Sequence, residues 1–128
     1  MEYNGRRYLA PSFDHGASCA RNLSDNERDE RLNTSDMGYS ILTFAARARS
    51  AFYSEVALQR PLGTHQAFVE YCIVSGVEKA KWQTKLEMIS EADLLNILNS
   101  IPPARMSDTT RKFTLQLLMA NRAKLLDL

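Results

Sequence analysis

Along most of the chain from residue 41 onward, apolar side chains recur at spacings of three and four, the period of helices with one buried face. Ile41, Phe44, Ala45, Ala48 and Phe52 follow this spacing and predict a helix over residues 41–53. Pro61 and Gly63 then break the chain. The next helix is expected to be capped by Thr64 and to carry Phe68, Val69, Tyr71, Cys72 and Ile73. Gly76 separates it from a helix with Trp82, Leu86 and Ile89 on one face. Ser90 is placed to cap a further helix holding Leu94, Leu95, Ile97 and Leu98, which Pro102-Pro103 stops. Ser107 opens the last and longest helix, with Phe113, Leu117, Leu118 and Leu125 as its apolar side.

The first forty residues follow a different pattern. Asn4-Gly5 is a favoured two-residue turn because both residues tolerate positive φ, and Tyr3 and Tyr8-Leu9 flank it with strand-type side chains. A β-hairpin over residues 1–9 is therefore expected, ended by Pro11 and followed by a polar loop from Ser12 to Leu23. Ser24-Asp25-Asn26-Glu27 reads as a capping box, in which the Ser24 hydroxyl and the Glu27 carboxylate satisfy each other's backbone amides. It opens a short charged helix to about Leu32, and Asn33–Tyr39 reads as a loop. The predicted fold class is mainly α: an N-terminal β-hairpin followed by a bundle of five or six helices. One domain covers residues 1–128, with 1–23 as hairpin and loop and 24–128 as the helical part.

Composition narrows the function classes. With 128 residues and 45% hydrophobic content, the chain has the size and make-up of one globular domain. Sixteen basic and 15 acidic residues leave a net charge of +1, so there is no general pull toward nucleic acid or anionic membrane. No direct nucleic-acid binding and no membrane partner are expected. Cys19 and Cys72 have no metal-ligand spacing and are expected as free thiols. No stretch approaches the roughly 20 apolar residues of a membrane span, and the start, Met1 to Arg7, is not signal-like. A cytoplasmic location is expected.

The segment Leu9-Ala10-Pro11-Ser12-Phe13-Asp14-His15-Gly16 carries the most chemistry. A strand ends in an acidic residue, with glycine two positions later. Kinases hold magnesium with such a layout, because a carboxylate is a hard oxygen ligand and the loop must let phosphates approach. Taken alone, Asp-x-Gly reads first as turn chemistry.

Two longer segments change that balance. Leu9 to Ser18, followed by Arg21-Asn22-Leu23-Ser24, resembles the HipA-like kinases at the segment that follows their catalytic loop. Ile101-Pro102-Pro103-Ala104-Arg105-Met106-Ser107, Arg111-Lys112-Phe113 and Asn121 to Leu126 resemble the end of the same family. The resemblance implies the helical C-terminal lobe of a serine/threonine kinase, often the toxin of a toxin–antitoxin pair. It makes Asp14 the metal-binding residue, with His15 and Gly16 shaping the loop beside it. It is weak between Glu27 and Gln59, and residues 33–59 have no functional reading.

Other parts of a kinase are not found in the sequence. The glycines at 5, 16, 38, 63 and 76 form no phosphate-binding cluster, and none of the thirteen residues before Asp14 is Asp or His. The family pattern is thus expected to start after its catalytic loop, as a C-terminal fragment inactive alone. Mg²⁺ and ATP become cofactors only if an upstream kinase subunit completes the site; that subunit or an antitoxin protein is the expected partner. The alternatives are a non-catalytic helical protein-binding module and an inert remnant.

Weaker constellations read as structure. His65 is expected on the surface near a helix start, and Arg47, Arg49 and Arg60 as solvated charge. Asn121-Arg122 reads as a polar helix face, and His15, Ser18 and Cys19 lack an orienting acid for a nucleophile–base pair.

Overall fold

The computed structural model describes residues 2–7, 18–54 and 60–128. The protein is mainly helical, as the periodicity predicts. The elements are β1 (Glu2–Tyr3), β2 (Arg6–Arg7), α1 (Asp25–Asn33), a 3-10 turn at Met37–Tyr39, α2 (Ile41–Arg47), α3 (Thr64–Ser75), α4 (Lys79–Glu87), α5 (Glu91–Asn99) and α6 (Asp108–Leu126). β1 and β2 pair antiparallel, Glu2 with Arg7 and Tyr3 with Arg6, about Asn4 and Gly5 at φ 50° and 70°. Two residues a side do not amount to the hairpin element expected over residues 1–9, since isolated two-stranded ladders are marginal in water. Residues Tyr8 and Leu9, assigned to the second strand, lie outside the described residues.

α6 is the axis of the bundle, and α1, α2, α4 and α5 all pack on it. Its 19 residues are the longest helix described. The core forms where α2 crosses it: Ile41 and Ala45 meet Phe113 and Leu117, with Ala20, Leu23, Leu32, Phe44 and Ala120 packed around them. Phe113 is wholly buried, and burying a side chain of that size contributes about 3 kcal/mol. Phe44 meets its ring edge-on, 5.9 Å between centroids at 71°, a geometry the ring quadrupoles favour.

Three helix starts follow the expected caps. Ser24 Oγ accepts from the Glu27 amide at 3.3 Å while Glu27 Oε2 accepts from the Ser24 amide at 2.7 Å. Ser90 and Asp93 repeat this arrangement at 3.1 and 2.9 Å. Ser107 accepts from the Thr110 amide at 3.1 Å. The bonds from Ser24 hold the Glu27 carboxyl below the usual carboxylate range, and those from Ser90 do the same for Asp93.

Three expectations need correction. The helix over residues 41–53 stops at Arg47. Ala48 to Phe52 runs extended against Leu62 to Thr64 instead: Ser50 donates to the Leu62 carbonyl at 2.9 Å, Leu62 to Phe52 at 2.8 Å and Thr64 to Ala48 at 3.1 Å. Once the chain turns back, those backbone groups have partners outside a helix, and Phe52 is left 68% exposed. Thr64 is the first residue of α3, not its cap; Gly63 holds that position and makes no side-chain bond. Ile89 lies beyond the end of α4, after the C-cap Met88. The loop expected at Asn33–Tyr39 is present and contains the 3-10 turn, in which Asp36 Oδ1 accepts from the Gly38 amide at 2.7 Å.

Candidate functional site

Asp14, His15 and Gly16, the expected metal ligand and its loop, lie outside the described residues. The described chain resumes at Ser18. Ser18 to Leu23 turns through Cys19 and Ala20, both left-handed at φ 54° and 56°. Such a conformation costs a residue with a Cβ about 1 kcal/mol or more, so neighbours must hold it. The Ala20 carbonyl accepts from the Leu23 amide at 3.0 Å and from Arg28 Nη2 at 3.2 Å. Arg28 is itself buried and donates Nη1 to Asp25 Oδ1 at 2.9 Å. Asp25 also accepts from Thr110 Oγ1 on α6 at 2.8 Å. The Ser107 and Thr110 hydroxyls, with Arg28, hold the Asp25 carboxyl below its ordinary range. A single chain of bonds therefore ties the Ser18–Leu23 turn to the start of α1 and the start of α6. In the sequence these residues read only as loop and charged helix; Arg28, eight residues from Ala20, gave no signal of its own.

A second arginine, Arg31, fixes the turn before α2. Its guanidinium lies 4.0 Å from the Tyr39 ring centroid and 4.7 Å from that of Phe44, and Nη1 donates to the Tyr39 carbonyl at 3.2 Å. Stacking on two rings favours Arg for its flat, delocalised charge.

A cavity among the described residues lies elsewhere. An open, mostly apolar groove of about 510 Å³ runs between the extended Ser50–Ser54 segment and α3, lined chiefly by Phe52, Tyr53, Leu62, Phe68, Tyr71 and Val74. Its volume falls in the range of ligand sites, but such sites also need a few polar groups converging on the ligand. Ser50, at its edge, is already engaged: its hydroxyl accepts from the Phe52 amide and donates to the Leu62 carbonyl, both at 3.1 Å. α3 is apolar on nearly every side, a pattern that ordinarily marks a buried helix. Here Cys72 is buried, yet Ile73 and Val74 are 69% and 78% exposed.

The remaining candidates are structural. His65 is half-buried, not a free surface residue: its Nε2 lies 2.9 Å from Asn121 Oδ1, placed to donate to it. Asn121 in turn donates to the Leu117 carbonyl at 3.0 Å. The His65–Asn121 bond joins α3 to α6, so Asn121 is a tie between helices and not a bare polar face. Arg122 caps the end of α4 at the Leu86 and Glu87 carbonyls. Arg47, Arg49 and Arg60 are exposed, as expected of solvated charge. Cys19 and Cys72 are free thiols, one exposed and one buried. Among the described residues no group of three His, Cys, Asp or Glu side chains could hold a metal, and no helix is long and apolar enough to cross a membrane.

No family model, curated protein or solved structure matches the chain.

Proposed function

We propose that this chain is the helical C-terminal lobe of a HipA-like serine/threonine kinase, working with an ATP-binding part carried elsewhere. One observation carries the reading: the Leu9–Ser24 and Ile101–Leu126 segments resemble the two ends of that lobe. The second of them includes α6, on which α1, α2, α4 and α5 pack. In this reading Asp14 offers a carboxylate oxygen to magnesium, and His15 and Gly16 shape the loop beside it. Bound magnesium would neutralise phosphate charge. Arg28 anchors the turn that follows in the chain through the Ala20 carbonyl. A lone carboxylate does not catalyse phosphoryl transfer, because that catalysis rests on several positioned charges acting together.

The test is ATP-dependent phosphate incorporation, measured with the purified chain alone and with a polypeptide that supplies a phosphate-binding loop and an Asp/Asn catalytic loop. Incorporation is expected only for the combination and is lost with Asp14→Ala. An inert combination, or one indifferent to Asp14→Ala, would overturn the reading. Self-phosphorylation by the chain alone that Asp14→Ala abolishes would refute its dependence on a second part.

A second reading is a non-catalytic helical module that binds a kinase or an antitoxin protein. It is favoured by the uncovered apolar side chains of α3, because contiguous exposed apolar surface often marks an interaction site. An inert combination that nevertheless co-purifies as a complex, broken by Val74→Asp, would select this reading. Neither activity nor binding would leave an inert remnant.

A further inference from the structure

We draw no further inference here: the strongest candidate, the apolar groove between the extended Ser50–Ser54 segment and α3, belongs to the second reading above, and nothing in the structure shows what covers it.

Discussion

Arg122, near the end of α6, donates its Nε–H to the carbonyl of Leu86, 36 residues earlier, at 3.2 Å. Its Nη2 reaches the Glu87 carbonyl at 3.1 Å. The last carbonyls of a helix have no partner within it, so α6 supplies the C-terminal cap of α4 from outside. Arg111 does the same for α5, donating to the Leu98 and Ile101 carbonyls. Gln83 returns the favour to α6 itself, its amide donating to the Leu125 and Leu126 carbonyls at 3.0 and 3.2 Å. The end of each of these helices is thus completed by a side chain from a neighbouring one.

Removing the cap on α4 should loosen that helix before the rest of the bundle. Arg122→Ala is expected to lower stability by about 1 kcal/mol, the usual net worth of such hydrogen bonds. Amide hydrogen exchange should accelerate most at Leu86 to Ile89. Arg122→Lys should recover little, since one ammonium does not reproduce a guanidinium that spans two carbonyls. Full recovery by lysine would show that charge alone matters there.

Among the described residues, Phe113 is the largest side chain that is fully buried. Phe113→Ala is expected to cost about 3–5 kcal/mol by loss of buried surface and opening of a cavity. Denaturant unfolding of the two proteins measures the difference. The exposed Ile97 on α5 serves as control, and Ile97→Ala should stay within about 0.5 kcal/mol of the parent. Equal losses at both sites would contradict the assignment of the core to the crossing of α2 and α6.

The two capping boxes make stability depend on pH on the acid side. Glu27 and Asp93 both titrate below their ordinary values in the folded chain, through bonds from Ser24 and Ser90. A carboxyl whose folded pKa is depressed adds stability that is fully present above its unfolded pKa. That stability is lost as the pH falls through the folded value. The chain should therefore weaken as the pH drops below the ordinary carboxylate range. The double variant Glu27→Gln, Asp93→Asn should flatten that part of the profile while changing little of the slope above it. An unchanged acid limb in thermal unfolding at successive pH values would rule the boxes out as its source.

Cys19 holds a left-handed backbone without needing its side chain for packing, since it is exposed. Cys19→Gly is expected to stabilise the chain by about 0.5–1 kcal/mol, because glycine adopts positive φ without the Cβ clash. It should also abolish the fast phase of native thiol titration, leaving the buried Cys72 to react only on opening. Destabilisation by the glycine would mean that the turn is not left-handed in solution.

The exposed side chains of α3 should be dispensable for folding. Ile73→Asp and Val74→Asp together are expected to leave the unfolding midpoint nearly unchanged while reducing the fluorescence of a dye that binds apolar surface. A large drop in stability would place these residues in the core instead.

Much of this architecture was legible from residue order alone, where the determining interactions are local. The capping box at Ser24 and the cap at Ser90 bind residues three positions apart, so the motif and the geometry are the same statement. The spacing of Phe113 and Leu117 defines one face of α6 whatever lies opposite. The helix expected over residues 41–53 ended early because Ala48 to Phe52 found partners at Leu62 to Thr64, beyond the break at Pro61 that periodicity cannot cross. His65, Asn121 and Arg122 read as surface for a similar reason: each is polar on its own helix, and its partner is contributed by another. Arg28 likewise gained its meaning only when the turn at Ala20 brought a carbonyl within reach. Local chemistry set where helices start and which faces are apolar. Tertiary packing decided which carbonyls each arginine caps and left α3 partly uncovered, because those outcomes depend on groups far apart in the chain meeting in space.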